Sequence, residues 1–264
     1  MIKILVISLL IFSIGLIMTM SGRGGGNFYV PLLVIAGLGM HQASAMGQFI
    51  LTIAALTGLV VFNKKKMVDW KLALVIDPPT DIMAFAGGYY SSCLSGSTLK
   101  IILSLFLVLA GISMLIKVKE HPIKTDKRFG YWHRKFGDEE YTVNLWYTIP
   151  ITAAAGLVAG AVGISCGSFK IPLMVLLCGV PMHIAVGTSS AMIAATAIMG
   201  FIGHAMRGHF DPEFAIPLAV AAILAGILGG KLAIKTNPQY LKMVFAVTTF
   251  IAAVFMITNT LLTK

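Results

Sequence analysis

Charged side chains are scarce in this chain, at 11% of 264 residues. A soluble domain carries about a quarter. So little charge cannot cover a particle of this size in water, which excludes an ordinary soluble fold. Acidic residues are the scarcer sign, 10 against 20 Lys and Arg, and the net charge is +10. Such a balance often signals nucleic acid. Here, however, the bases sit in short stretches between apolar runs, as in Lys64-Lys65-Lys66 and across 117–135. Nucleic-acid binding would need an exposed basic domain interleaved with aromatics, and none is present. Cysteine is also rare. Cys93, Cys166 and Cys178 have no CxxC spacing, which excludes a disulfide framework or a zinc site. No GxxxxGK[ST] motif occurs, so ATP-driven transport by this chain alone is not expected. No cofactor is expected either.

What the chain has in abundance is apolar sequence, 58% of its residues. Candidate membrane spans cover 43–62, 70–90, 97–116, 183–204, 213–234 and 240–262, each near the 20 residues a bilayer requires. Asp77-Pro78-Pro79 predicts a kink or partial unwinding within 70–90. Residues 2–20 resemble a signal peptide, with Lys3 ahead of an apolar run. The second half contains their counterpart, so they are assigned to the fold.

That counterpart belongs to an internal repeat. Gly15-Leu16, Gly22, Gly26, Phe28 and Pro31 recur 141 residues later as Gly156-Leu157, Gly163, Gly167, Phe169 and Pro172. After one inserted residue the offset becomes 142. Met40-His41, Ala43, Asp69, Gly87-Gly88 and Leu99-Lys100 then find Met182-His183, Ala185, Asp211, Gly229-Gly230 and Leu241-Lys242. Chance similarity does not hold one register across about a hundred residues. The expected architecture is an all-α polytopic membrane protein of two homologous repeats. Repeat one covers 1–116, a charged cytoplasmic loop 117–147, and repeat two 148–264.

In each repeat a glycine-rich break interrupts the apolar sequence, followed by a run too short to span. If the break turns the chain back as a re-entrant hairpin, each half crosses three times and the repeats are inverted. If it is crossed once, each half crosses four times and the repeats are parallel. Both arrangements place the long basic loop in the cytoplasm. The inverted one is preferred, because transporters build midplane sites from inverted repeats with broken helices.

The breaks carry the candidate chemistry. Irregular backbone inside a membrane survives only where protein buries it or it lines a cavity. Arg23, Gly24, Gly25, Gly26 and Asn27 form the first break, and Ser165, Cys166, Gly167 and Ser168 the second. Asn27 and Ser168 are expected to cap short helices that carry Pro31 and Pro172 near their first turns. Two helix starts facing one another would present N–H groups and partial positive charge to an anion. Arg23 and Lys170 would add full charges. An intramembrane cation costs at least about 2.5 kcal/mol, so each needs a partner, either the substrate or an acid such as Asp77 or Asp81. Gln48, Ser189 and Ser190 fall early in the following spans and either reach the anion or pack helices. Cys166 is read as a small residue at a tight break, with a nucleophilic or redox thiol as the alternative. His41 and His183 suit a turn at the membrane edge or a proton relay. Asp69 and Asp211 suit helix starts, and Gly87-Gly88 and Gly229-Gly230 close helix packing.

These stretches resemble the sulfite exporter TauE/SafE family of permeases. The resemblance rests on residues 22–31 and 163–172, on Gly179 through Ser189, and on Gly203-His204 through Asp211. It covers nearly the whole chain except the long loop. Ser165, Cys166, Ser168 and Lys170 depart from the glycines and apolar residues typical of the family. The resemblance implies secondary transport of sulfite, organosulfonates or related oxyanions, coupled to a proton gradient or membrane potential. The implied partners are the oxyanion, a coupling proton, the lipid bilayer and a second copy in a homo-oligomer. Uptake of thiosulfate, sulfate or a small carboxylate is the variant within this class. An intramembrane enzyme using Cys166 or Asp77 and Asp81 is the rival from another class.

Overall fold

The computed structural model describes residues 2–20, 22, 24–115, 129–234, 250, 254, 255 and 258. Within these the chain forms α1 (Ile2–Met20), α2 (Gly26–Ile35), α3 (Met40–Lys64), α4 (Trp70–Tyr90) and α5 (Gly96–Leu115), then β1 (Tyr131–Phe136) and β2 (Glu139–Asn144). The second half follows as α6 (Leu145–Val162), α7 (Gly167–Leu177), α8 (Met182–Ala205) and α9 (Pro212–Ala233). Five of these, α1, α3, α6, α8 and α9, are long and apolar enough to cross a bilayer. At 10 and 11 residues, α2 and α7 reach only about halfway across. The expected span 240–262 lies almost wholly outside the described residues, as does 117–128.

Two expectations need correction. The chain is mostly helical but not all-α, because residues 131–144 of the expected loop form an antiparallel hairpin. Its cause is local. Gly137 takes φ 62° in the two-residue turn before Asp138, a conformation glycine adopts without strain. Around the turn, Trp132, Arg134, Phe136, Tyr141 and Val143 alternate onto one face. The second correction concerns α4, which stays helical through Pro78 and Pro79, so the partial unwinding does not occur.

The helix order interleaves the halves. Equivalent helices α3 and α8 lie side by side and run antiparallel, with Gln48 against Gly200 and Ser190 against Ala55. In contrast, α4 packs against α6 and α8, and α9 against α1 and α3. The pairs α4 with α6 and α9 with α1 run parallel. Thr80 sits beside Gly156 and Ala84 beside Gly160, while Ala225 sits beside Gly15 and Leu16 beside Gly229.

Glycine makes this approach possible. A Cβ on Gly160 would stand 2.1 Å from the Ala84 carbonyl oxygen, and one on Gly87 2.1 Å from that of Leu157. Between apolar helices in lipid there is no hydrophobic drive to associate. Close backbone contact through small residues supplies the attraction instead. Gly229 plays the expected part against Leu16.

Helix starts are fixed by acids, as the sequence suggested. Asp69 accepts from the Lys71 and Leu72 amides, and Asp211 from those of Glu213 and Phe214. Asp69 does more. Arg134 of the hairpin donates to both its oxygens at 2.8 and 3.0 Å, and the Tyr141 hydroxyl donates to Oδ2. Its own amide donates to the Thr188 hydroxyl at the start of α8. One fully buried carboxylate thus ties the hairpin, α4 and α8 together. Beneath the clasp, Tyr141 and Val143 join Leu72, Ile76, Ile171, Met174 and Ile184 in an apolar cluster. Burial alone raises the Asp69 carboxyl. The bonds from Arg134, Tyr141 and the Leu72 amide outweigh that effect and hold it below the ordinary carboxylate range. The same contact raises the Arg134 guanidinium, so the pair stays ionised.

Candidate functional site

The two glycine breaks meet in the middle of the molecule. Gly24 faces Leu51 of α3 and Ile193 of α8, near the centres of those helices, and Gly26 abuts the amide of Ser165. Gly22, Gly24 and Gly25 all have positive φ, as does Gly163. At Gly24 and Gly25 a side chain would be strained and would also strike Leu51 or Tyr29. These glycines are therefore required twice, by conformation and by space.

Asn27 and Ser168 do not cap their helices. The cap positions are Gly25 and Cys166, neither of which makes a side-chain cap bond. The helices begin too early for a side-chain cap from either residue. Asn27 and Ser168 instead point across the centre, and Asn27 Nδ2 donates to Ser168 Oγ at 2.8 Å. Both are buried, and Asn27 Oδ1 has no partner among the described residues. Pro31 and Pro172 stand in the second turn of α2 and α7, near the helix starts as expected.

Part of the N–H supply at the helix starts is already used. Gly167 N donates to Ser165 Oγ, and Phe28 N to the Gly25 carbonyl. Gly26, Asn27 and Ser168 contribute the first-turn amides that a helix leaves without intrahelical acceptors. The described parts of the two breaks pack on one another, with Gly26 against the Ser165 amide. A cavity of about 660 Å³ lies elsewhere, between the ends of α3 and α9 beside Lys64, Lys65 and Lys231.

Of the surrounding candidates, Ser189 reaches the first break, donating to the Gly22 carbonyl at 2.8 Å. Gln48 Nε2 donates to the Ala159 carbonyl in the turn before the second break, and its Oε1 has no partner among the described residues. Ser190 bonds the Ala55 carbonyl and ties α8 to α3. Arg23 lies outside the described residues. Lys170 is fully buried. Its ammonium contacts Asp77 Oδ1 and donates to Thr196 Oγ1 at 2.8 Å, so it meets one of the acids expected as partners. Thr196 in turn donates to Asp81 Oδ1 at 2.8 Å.

Sequence reasoning missed Thr196. The signal was a hydroxyl in an apolar span at the position where the first repeat has Ala54. The Cys166 thiol is buried and donates to the Ala155 carbonyl, and no histidine adjoins it among the described residues. Asp77 and Asp81 are engaged by Lys170 and Thr196. Both arrangements fit poorly with the enzyme reading. His41 stacks on His209 at 4.9 Å, at the edge where α3 begins, far along α3 from the breaks. Among the described residues no group of three His, Cys, Asp or Glu side chains is placed to hold a metal ion.

Residues 7–256 match the family described as Sulfite exporter TauE/SafE. The chain belongs to this family. It is therefore a multi-pass membrane transporter. The Bacillus subtilis protein named Probable membrane transporter protein YunE is 26% identical over 88% of this chain and 89% of its own length. A second B. subtilis protein, Probable membrane transporter protein YdhB, is 22% identical over 96% and 100%. The plant Arabidopsis thaliana has a Sulfite exporter TauE/SafE family protein 6, which is 33% identical over 28% of this chain and 18% of its own length. No solved structure matches the chain.

Proposed function

We propose that this member of the family is a secondary transporter of small oxyanions in the cell membrane, exporting sulfite or an organosulfonate. The observation that carries the reading is the meeting of two half-helix starts at the centre. There Asn27 and Ser168, equivalent positions of the two repeats, are bonded across the gap. Separated, they would offer an amide and a hydroxyl to one oxyanion, beside the first-turn amides of α2 and α7. Arg23 is the cation of the first break. Ser189 and Gln48 hold the surrounding backbone. The family name supports a sulfur oxyanion.

The repeats are read as inverted, with boundaries at 1–116 and 148–264. The antiparallel course of the equivalent helices α3 and α8 supports this reading. So does α2, which runs back along α3, setting Gly26 beside Leu51 and Val30 beside Gly47. Each break is then the tip of a re-entrant hairpin, one from either side of the membrane. Rocking of one half against the other would expose the centre alternately. The Lys64–Lys66 end and the hairpin face the cytoplasm in this scheme.

The test is labelled sulfite flux in proteoliposomes, comparing wild type with an Arg23→Ala/Ser168→Ala double variant. Flux is expected in the first and lost in the second. If wild type carries no sulfite above empty liposomes but carries thiosulfate, sulfate or a carboxylate, the substrate changes and the site stands. Equal flux in both proteins would remove the site.

A further inference from the structure

We propose that Asp77 and Asp81 bind the coupling proton, and that Lys170 is the counter-ion they share with the transported anion. Protonating the carboxylate pair releases the ammonium to the oxyanion. This inference rests on the anion site proposed above.

Three elements build the cluster. Asp77 and Asp81 stand one turn apart on α4, Lys170 on α7 and Thr196 on α8. The first consideration is charge. Two carboxylates and one ammonium leave one negative charge in excess, in a place where the Lys170 and Asp77 side chains are 1% and 6% exposed and Asp81 is half-buried. Asp77 Oδ2 is buried and has no donor among the described residues. An uncompensated charge there is strongly unfavourable, and one bound proton removes the excess. The Thr196 hydroxyl has a single hydrogen, and both the Met192 carbonyl and Asp81 Oδ1 lie 2.8 Å from it. Donation to Met192 leaves Asp81 an oxygen to protonate.

The second consideration is the repeat. The positions of Asp77, Asp81, Lys170 and Thr196 are held in the other half by Ala219, Ile223, Tyr29 and Ala54. There α9 packs on α1 and α3 much as α4 packs on α6 and α8, with no charge at the equivalent place. Hence the fold does not require these four polar groups. An ionisable group kept inside a membrane without structural need marks a functional site.

The third consideration is position. Lys170 lies in the first turn of α7, its amide bonded to the Cys166 carbonyl. Thr196 stands three residues beyond Ile193, whose side chain closes on both Gly24 and Gly167. The ammonium therefore sits beside the meeting point of the breaks, held by Asp77 in the role an anion would take. Among the described residues the Cys166 thiol is the other titratable group near the carboxylates. On the facing stretch of α6, Gly156, Leu157, Gly160 and Ala161 carry no titratable side chain. Arg134 and Tyr141 are engaged with Asp69, two turns back along α4.

The balance closes. With one proton held by the pair at rest, the remaining carboxylate takes a second proton and becomes neutral as Lys170 exchanges it for the oxyanion, so the cluster is uncharged before and after. The site then carries one more proton and one more anion. Proton and anion strengthen one another's binding by the same factor.

The experiment counts protons on the purified full-length protein. Ethanesulfonate, whose charge is constant between pH 5.5 and 8, is added in weak buffer with a pH indicator. Its affinity is measured across the same range. We expect proton uptake on binding and affinity at least about tenfold tighter at the acid end. The Asp77→Asn/Asp81→Asn double variant should bind the anion with little pH dependence and take up no proton, whereas either single variant keeps one carboxylate and part of both effects. Lys170→Met should lose binding. Anion binding in wild type with no proton uptake and no pH dependence would overturn the coupling and leave the anion site intact. If ethanesulfonate does not bind, sulfite is used, with its own ionisation subtracted. Failure of both to bind at any pH would remove the anion site and this inference with it.

Discussion

Asn27 and Ser168 occupy the same place in the two halves of the chain and are bonded to one another at 2.8 Å. A contact between equivalent residues marks where the halves meet, and here it joins the starts of two half-helices. Ser168→Ala leaves the Asn27 amide buried without its acceptor. We expect a loss of about 1–3 kcal/mol, read as a lower melting temperature in detergent, and reduced anion flux. Asn27→Ser keeps a donor there and should lose less.

The Asp69 clasp predicts a pH-sensitive hairpin. Its carboxyl is held below the ordinary range. The stabilisation is therefore complete above the unfolded carboxylate pKa and lost as pH falls through the folded one. Acidification below the ordinary carboxylate range should release residues 131–144 to protease while the helical core persists. Arg134→Ala should give the same cleavage at neutral pH. Breaking such a buried pair costs about 3–5 kcal/mol.

Glycines separate sharply by contact. Gly160→Ala drives a Cβ to 2.1 Å from the Ala84 carbonyl oxygen, where helix backbone cannot yield. Little folded protein is expected by size-exclusion chromatography. Gly39 has an ordinary negative φ, and a Cβ added there would meet nothing within 4 Å. Gly39→Ala should be recovered at wild-type yield.

The cysteines give a counting test. Cys93 is exposed, whereas Cys166 and Cys178 are buried. A maleimide should modify one thiol per native chain and three after denaturation. If Cys166 reacts in the native protein and Cys166→Ala abolishes activity, the enzyme reading revives.

Most of the helical plan was legible because hydropathy and a repeat register are local signals. Gly160 and Gly87 could be read as small, but which carbonyls they admit depends on how the halves interleave. Asn27 and Ser168 look like caps by residue type. The turn places Gly25 and Cys166 at the cap positions and directs the Asn27 and Ser168 side chains across the centre. The hairpin was hidden by its charge, since Arg134 reads as a solvated base until Asp69 lies beside it. The pattern that would have exposed it is the alternation around Gly137. Lys170 was legible as a costly cation. Asp77 stood among its candidate partners, but which acid it meets depends on how α4 and α7 pack.

The interleaving has a consequence for synthesis. Asp77 lies 93 residues before Lys170. At about 5–20 residues per second, its partner leaves the ribosome roughly 5–20 s later. For most of that interval α4 lacks the face of α6 as well as its ammonium, and α8, on which its second glycine closes, follows only after Lys170. It is also the one long helix, among those described, that carries two acids and two prolines within its length. The nascent protein must therefore shelter α4 at the insertion machinery until the second half arrives, and a chain stopped after α5 should be degraded rather than stored.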